Sequence, residues 1–292
     1  GEISEEEKKL MRPKSASIAR AHGLPKTHKQ YHSIPKFRPI IDTTNTTHYG
    51  VGKFLTRLLQ PLTHNEFTIK DSFDAVDKIR TVASHLFNEG YRWISFDVES
   101  LFTNVPLAKT IDVVLRRVYT EDAIDTNLKK RTLKKLIKDC CQKTTFSFNS
   151  VLYEQNDGVS MGSSLGPVLT KVIMTELEKT IVLGLFGDRL IKFYGRYVDD
   201  TLVLAKPANT EEILRRLNSF HKNLSFTVDT FDDDNVHFLD ITNDKTTTDI
   251  YRKSTNTSQY VPFESFEPWW RKTAWVRTLR SRIPHLFHSE AF

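Results

Sequence analysis

Two adjacent carboxylates, Asp199 and Asp200, lie between two apolar segments of the sequence, residues 191–194 and 201–204. Both segments have the composition of short strands, which predicts a tight hairpin with the two acids at its tip. Carboxylates held this close repel one another, and flanking apolar side chains restrict the solvent that would screen their charge. A divalent cation removes that cost, and hard oxygen ligands suit Mg²⁺. An ordinary polar turn explains the pair as well, because Asp is common in turns.

A third carboxylate, Asp97, follows the apolar residues 93–96, and the segment 93–98 predicts a buried strand. If this strand neighbours those of the hairpin, Asp97 joins Asp199 and Asp200 at one place. Two metal ions bridged by such carboxylates activate a hydroxyl nucleophile and stabilise a leaving pyrophosphate. The three acids are therefore the candidate catalytic and metal-binding residues.

The elements that must position these acids mix helices with strands. A lysine-rich hairpin is predicted around residues 23–41 and a second hairpin around residues 146–153. The spacing of apolar residues predicts helices over 51–62, 71–88 (capped by Asp71 or Ser72), 107–119 and 126–142. The loop 155–167 leads into a helix to about 183, and strands are predicted over 224–230, 236–241 and 249–254. This mixture indicates an α+β fold with an antiparallel sheet at its centre.

The composition excludes several classes of protein. The 292 residues are 39% hydrophobic, which suffices for a sizeable core and excludes a disordered chain. The cysteines, Cys140 and Cys141, are adjacent, so a disulfide scaffold and a cysteine zinc site are excluded; their place in an apolar helix stripe indicates packing. No segment of 18 apolar residues is present, so none is expected to span a membrane. The first residues lack a signal-peptide core and an initiator Met, and we expect an internal or processed end.

The net charge of +6 is unevenly distributed along the chain. Residues 1–60 carry +6, residues 61–250 carry −4 and residues 251–292 carry +4. Basic ends that grip a polyanion and an acidic middle that holds cations would produce this pattern. An ordinary soluble protein with uneven charge would produce it as well.

Several segments together resemble the motifs of reverse transcriptases. YVDD, at 197–200, resembles motif C, and FDVESLFTNVP, at 96–106, resembles motif A with Asp97 in the metal-binding place. QNDGVSMGSSLGP, at 155–167, resembles the glycine-rich motif B loop that opens a helix. GLPKTHK and FRPII resemble the two finger strands that telomerase and its relatives use over the incoming nucleotide. The resemblance implies a right-hand polymerase fold with fingers, a palm with an antiparallel sheet and the beginning of a thumb.

The amino-acid sequences of the motifs are most similar to those of Penelope-like retroelements, eukaryotic reverse transcriptases related to telomerase. LPKTHK with FRPII, SLFTNVP, MGSSLGP, HFLD and YRKSTNTSQY carry this resemblance. It implies an RNA-directed DNA polymerase that extends a primer 3′-hydroxyl with dNTPs, using two Mg²⁺ ions or Mn²⁺ as a substitute. The implied partners are an RNA template, a DNA primer or RNA–DNA hybrid, dNTPs and a structured element RNA, with no membrane. A nuclear location is expected, although the chain shows no targeting signal, and the oligomeric state is left open.

The resemblance also implies roles for the acids and for the residues around the nucleotide. Asp97 and Asp199 are implied as direct metal ligands, Val98 as a ligand through its carbonyl, and Asp200 as the second acid, closer to the primer end. Phe102 matches the bulky side chain that crowds a ribose 2′-hydroxyl and so favours dNTPs; an ordinary core Phe is the alternative.

Other positions are implied to contact the nucleotide, the template or the primer. Lys26 and Arg38 would bind the triphosphate, since a guanidinium suits phosphate oxygens, and a solvated basic hairpin is the alternative. Met161 stands where many reverse transcriptases have Gln, and it is implied to lie near the dNTP. The implied template and primer contacts are Gly158, Ser160, Gly162, Tyr197, Tyr251, Arg252 and Lys253.

The implied domains are fingers (1–90), palm with motif A (91–106), finger and palm helices with a hairpin (107–154), palm with motifs B to D (155–250), and primer grip with the start of a thumb (251–292). Two other functions are the alternatives. A domesticated nucleic-acid-binding protein with a reverse transcriptase fold has no need of Asp97, Asp199, Asp200 and Phe102 together. A two-metal nuclease would leave Phe102 and the finger cations without a purpose.

Overall fold

The computed structural model describes residues 1–13, 16–26, 36–122, 124–142, 144–228, 235–244, 247–252, 257 and 259–286. The helices are α1 (Glu5–Met11), α2 (Tyr49–Leu59), α3 (Ser72–Arg80), α4 (His85–Asn88), α5 (Leu101–Asn104), α6 (Leu107–Arg116), α7 (Lys130–Cys141), α8 (Gly166–Leu177), α9 (Leu183–Gly187), α10 (Thr210–Asn218) and α11 (Trp269–Leu286). The strands are β1 (Ala19–Pro25), β2 (Phe37–Asp42), β3 (Arg92–Val98), β4 (Thr144–Phe148), β5 (Val151–Gln155), β6 (Ile191–Tyr197), β7 (Asp200–Ala205), β8 (Phe226–Val228), β9 (Asn235–Phe238), β10 (Ile241–Asp244) and β11 (Thr247–Ile250).

The chain forms two compact units. Unit one comprises Gly1–Glu66, Val98–Gly184 and Arg216–Phe226. Unit two comprises Phe67–Asp97, Leu185–Arg215 and Thr227–Phe292. The chain therefore passes from one unit to the other directly after Asp97.

Unit one contains a four-stranded sheet in the order β2-β1-β4-β5. β1 and β2 form an antiparallel hairpin in which Leu24 faces Arg38, and β4 and β5 form a second antiparallel hairpin. The two hairpins are joined by a short parallel pairing, Ala19 with Phe146 and Arg20 with Ser147.

A buried helix, α8, lies at the centre of unit one. Ten of its twelve residues are buried, which is typical of a helix that is surrounded by other elements. α8 packs against α6 and against the 3₁₀ turn Gln60–Thr63. The buried Arg117 joins these elements, because it donates hydrogen bonds to the Leu62 carbonyl (2.9 Å), Thr175 Oγ1 (2.8 Å) and Asp122 Oδ2 (2.6 Å).

Unit two contains a sheet in the order β6-β7-β3-β8 and a smaller sheet in the order β11-β10-β9. β7 is antiparallel to both β6 and β3. An apolar core formed by α3 and both sheets includes Ile79, Trp93, Leu202, Leu204 and Phe238. Asp71, one of the two caps predicted from the sequence, caps α3 by accepting hydrogen bonds from the Phe73 and Asp74 amides, both 2.9 Å.

The structure confirms the α+β class and the antiparallel central sheet. The helix predicted over 71–88 is wrong in its extent: α3 ends at Arg80, because the Thr81 and Val82 amides bond back to the Lys78 and Ile79 carbonyls in a tight turn. The helix predicted from 126 begins at Lys130, because Thr126 Oγ1 accepts a local hydrogen bond from the Leu128 amide.

The cysteines lie on α7, as expected. Cys141 is buried, and burial together with the nearby Asp139 charge raises the pKa of the Cys140 thiol to about 12. Both thiols are therefore suited to packing rather than to redox chemistry. Within the part of the chain that the structure describes, no helix combines the length and hydropathy needed to cross a membrane.

Candidate active site

The hairpin between β6 and β7 carries the acidic pair of unit two. Tyr197 and Asp200 form its last strand pair, so Val198 and Asp199 are the two residues of the turn. Val198 has a φ of +56°, which is unusual for a β-branched residue, although two-residue hairpin turns require a positive φ at this position. Such a conformation costs on the order of 1–3 kcal/mol and occurs preferentially at functional sites.

Arg196 supports the turn from the preceding strand. Its side chain is 1% exposed, and its Nη1 donates a hydrogen bond to the Val198 carbonyl (3.2 Å). Its amide donates to the Phe67 carbonyl (2.9 Å), and its own carbonyl accepts from the Ile69 amide (2.8 Å). The residue before the turn is thus fixed through its backbone and its side chain.

Asp97 lies on the strand next to this hairpin. β3 pairs with β7 in a register that ends with Phe96 facing Thr201, and one further step of that register sets Asp97 opposite Asp200. Facing residues of antiparallel strands point to the same side of the sheet, with Cα atoms about 4.5–5.5 Å apart. The strands are therefore neighbours, which is the condition for bringing the three acids together, and Asp97, Asp199 and Asp200 are all half-buried at one end of the sheet.

The donor set is suited in kind to a divalent cation, because carboxylate oxygens are the ligands that Mg²⁺ prefers. Among the described residues, however, no group of three or more His, Cys, Asp or Glu side chains lies close enough to hold an ion. The backbone thus brings the acids to one place, while their side chains do not form a three-ligand centre in this conformation. Val98, the proposed carbonyl ligand, is the buried last residue of β3.

In unit one, the residues after β3 form the turn that carries Phe102. Ser100 has a φ of +49°, and the half-buried Phe102 lies on the short helix α5. The Phe102 carbonyl accepts a hydrogen bond from the Val159 amide (2.8 Å). Gly158 has a φ of +70°, and a Cβ there would overlap the Thr103 carbonyl. The motif B loop is therefore packed directly onto the backbone of α5.

The other end of the motif B loop contacts strand β2. The Ile41 amide donates to the Met161 carbonyl (2.7 Å), and Thr43 Oγ1 donates to the Gly162 carbonyl (3.1 Å). Gly162 has a φ of +110°, and a Cβ there would overlap the Ile41 carbonyl. The buried Ser160 donates its hydroxyl hydrogen bond to Gln155 Oε1 (2.5 Å), within the loop region itself.

The β1–β2 hairpin of unit one places three cations on one face. The Lys26 amide bonds to the Lys36 carbonyl (2.8 Å), which continues the register in which Leu24 faces Arg38. Facing residues and residues two apart share a face, so Lys26, Lys36 and Arg38 lie on the same side. Lys36 is not among the residues predicted from the sequence, although the register of the predicted hairpin indicates it.

The remaining predicted contacts lie in unit two. Tyr197 is partly exposed at the end of β6, and Arg252 is exposed. The Tyr251 ring stacks on His237, with 3.8 Å between the ring centroids, and its amide bonds to the Asp240 carbonyl (2.8 Å). Lys253 lies outside the described residues.

The fold of this chain is the right-hand fold of its structural neighbours, which are telomerases and RNA polymerases. Telomerase of Candida albicans in complex with a fragment of telomeric RNA aligns with 94% of this chain and 50% of its own, at 14% identity and a TM-score of 0.63. A truncated apo telomerase of Candida tropicalis aligns with 80% of this chain and 55% of its own, at 12% identity and a TM-score of 0.56. An RNA-dependent RNA polymerase, vp4, aligns with 85% of this chain and 23% of its own, at 10% identity and a TM-score of 0.52.

The family follows from the sequence. The model of the reverse transcriptase (RNA-dependent DNA polymerase) family matches residues 25–247, and the chain belongs to this family of nucleotidyltransferases. The chain spans about half the length of the telomerase chains that it resembles in fold. No curated protein matches it by sequence.

Proposed function

We propose that this chain is the RNA-directed DNA polymerase of a Penelope-like retrotransposon and extends a primer 3′-hydroxyl with dNTPs. The observation that carries the proposal is the position of Asp97, Asp199 and Asp200 at one end of the β6-β7-β3 sheet. Membership of the reverse transcriptase family supports the class of reaction. The amino-acid sequences of the motifs support the Penelope-like origin.

The acids are proposed to hold two Mg²⁺ ions, or Mn²⁺ in their place. Asp97 and Asp199 would be the direct ligands, with the Val98 carbonyl beside them and Asp200 closer to the primer end. Metal ions bound there would make the primer hydroxyl a better nucleophile and stabilise the leaving pyrophosphate. Because Arg196 holds the Val198 carbonyl, the turn that carries Asp199 is fixed before substrate binds, and fixed charges need little reorganisation during reaction.

The residues of unit one are proposed to bind and select the nucleotide. Lys26, Lys36 and Arg38 present a cationic face that suits a triphosphate, with the guanidinium able to bind two oxygens. Phe102 would exclude a ribose 2′-hydroxyl. The hydrogen bond from the Val159 amide to the Phe102 carbonyl holds the backbone in place, so the ring would not move away from the sugar.

Contacts with the template and the primer are also proposed, for residues of each unit. Met161 would contact the dNTP, and template or primer would contact Gly158, Ser160, Gly162, Tyr197, Tyr251, Arg252 and Lys253. The proposed partners are an RNA template, a DNA primer or RNA–DNA hybrid, and a structured element RNA. A nuclear location and the boundaries of fingers, palm and thumb are also part of the proposal. The RNA complex of the Candida albicans telomerase supports an RNA partner.

Primer extension on an RNA template tests the proposal. Asp199→Asn removes one negative charge without changing the shape of the turn, and we expect dNTP incorporation in Mg²⁺ to fall at least 100-fold. The affinity of this variant for the template–primer, measured by fluorescence anisotropy, should stay close to that of the parent. Asp125→Asn, at an exposed position, is the matched control and should retain parental incorporation.

The other outcomes identify the alternatives. Template–primer binding by the parent with no metal-dependent incorporation would indicate a domesticated binding protein. Cleavage of nucleic acid in the absence of dNTPs would indicate a nuclease. Full activity of Asp199→Asn would refute the assignment of the acids.

A further inference from the structure

Helix α7 carries a cluster of cations that the proposed polymerase site does not use. Between residues 129 and 138 the sequence has six Lys or Arg residues and no acid, within the segment of the chain whose net charge is negative. The apolar side of the helix, Leu133, Ile137 and Cys141, is buried. α7 packs against α2 and α6 of unit one. We call the opposite side the α7 ridge, and its residues are Lys129, Lys130, Arg131, Lys134, Lys135 and Lys138.

Acidic side chains neutralise the ridge only in part. Lys129 pairs with Glu2 (3.6 Å) and Lys134 pairs with Asp112 (3.5 Å), and both lysines are exposed. The other four ridge cations form no ion pair among the described residues, and Lys130, Arg131 and Lys135 are exposed. Two paired acids face six cations, so the ridge keeps most of its positive charge.

The ridge cations at the start of α7 run against helix stability, whereas Lys138 lies in the last turn, where a cation is favourable. Lys129 is the N-cap of α7 and makes no capping hydrogen bond, and the first turn contains no acid. A cation near a helix N-terminus meets the positive end of the helix dipole, at a cost of about 0.3–1 kcal/mol. By contrast, α1 of the same chain has a Ser4 capping box and three Glu residues in its first turn. α1 therefore follows the usual pattern of a cap and acids in the first turn, and α7 departs from it. Such departures are expected at functional sites.

The ridge stands between two open grooves. One groove, of about 580 Å³, is lined on the α2 side by His48 and on the ridge by Arg131, Lys134, Lys135 and Lys138. The other, of about 550 Å³, is lined on the α6 side by Leu115 and Arg116 and on the ridge by Lys130, Arg131 and Lys134. Arg131 and Lys134 therefore face both grooves, and each groove includes a single acid.

We propose that the α7 ridge binds the phosphate backbone of RNA, in a segment of the template outside the hybrid being extended. This inference rests on the proposed function for the presence of an RNA template. From Lys130 to Lys138 the helix rises about 12 Å, and a nucleic-acid strand rises about 3 Å per nucleotide, so the ridge spans about four phosphates. Lysine contacts phosphates without reading bases, so the binding is independent of sequence.

Neutralising the ridge tests the proposal. The triple variant Lys130→Gln, Lys135→Gln and Lys138→Gln keeps both ion pairs of the ridge and uses a good helix former. Removal of three phosphate contacts lowers the slope of log K against log salt by about 2.1 for single strands and about 2.7 for duplex. If the variant and the parent bind equally at 1 M salt, this difference in slope makes binding by the variant on the order of 50- to 170-fold weaker at 0.15 M.

The RNA probes are a 30-nucleotide single strand and a 30-base-pair duplex, both without a primer, and the difference in slope distinguishes the two forms. The matched control is Lys192→Gln, Lys206→Gln and Lys222→Gln, three exposed lysines outside α7. Circular dichroism and melting temperature verify that both triple variants are folded. An unchanged slope in the ridge variant, or an equal loss in the control, would overturn the proposal.

Failure of the ridge proposal can be distinguished from failure of the polymerase proposal. If the parent cannot extend a primer but the ridge variant loses RNA binding, the polymerase proposal fails, while binding of an RNA backbone by the ridge is upheld. If the ridge variant extends a saturating short template–primer at the parental rate and also binds long RNA normally, the ridge proposal fails and the polymerase proposal stands.

Discussion

Gly162 offers a direct test of how the motif B loop is held in unit one. At a φ of +110° only glycine is comfortable, and a Cβ would overlap the Ile41 carbonyl. Gly162→Ala should therefore move the loop away from β2. The positive φ costs about 1–2 kcal/mol for a residue with a side chain, and loss of the 2.7 Å bond between the Ile41 amide and the Met161 carbonyl costs about 1 kcal/mol more.

The expected loss of stability is about 2–3 kcal/mol, which lowers the melting temperature of a unit of this size by about 4–12 °C. Differential scanning fluorimetry measures the shift, and primer extension should weaken in parallel because Met161 and Gly162 move together. The control is Gly184→Ala. No atom lies within 4 Å of a Cβ at this helical position, so the substitution should leave stability equal or up to about 1 kcal/mol higher. Equal melting temperatures for the two variants would refute the reasoning.

Two further predictions concern sugar selection and the support of the turn. Phe102→Ala should raise ribonucleotide incorporation relative to deoxynucleotide incorporation, because a methyl group no longer crowds the 2′-hydroxyl; an unchanged ratio in competition assays would remove Phe102 from that role. Arg196→Lys keeps the buried charge but not the 3.2 Å bond from Nη1 to the Val198 carbonyl. It should lower the free energy of unfolding by about 1.5–3 kcal/mol and reduce kcat more than it changes the KM for dNTP, and a parental kcat would contradict the positioning role.

The hairpin acids and their neighbouring strand could be predicted from the sequence because local patterns determine them. Apolar segments on both sides of Asp199 and Asp200 indicate a hairpin, and the strand ending near Asp97 has an equally clear composition. The sequence did not show that Asp97 faces Asp200. That register depends on pairing between β3 and β7, which are about a hundred residues apart in the chain and are aligned by the core they share.

Other features depended on non-local packing and could not be predicted. The positive φ of Val198 contradicts the preference of a β-branched residue and is maintained by its surroundings. The parallel pairing of Ala19 with Phe146 joins two hairpins that each looked complete in the sequence. A helix over 126–142 is predicted from the sequence, but the grooves on either side of α7 arise only from its packing against α2 and α6.

The central claim is that Asp97 and the hairpin acids form one catalytic centre. The most direct test is single-turnover incorporation of one dNTP onto an RNA-templated primer in Mg²⁺ by Asp97→Asn, with Asp125→Asn as control. The account predicts a rate at least about 1,000-fold below that of the parent, equivalent to about 4 kcal/mol of transition-state stabilisation, with template–primer affinity unchanged. A rate for Asp97→Asn within about threefold of the parent, a difference of under 1 kcal/mol, would contradict it.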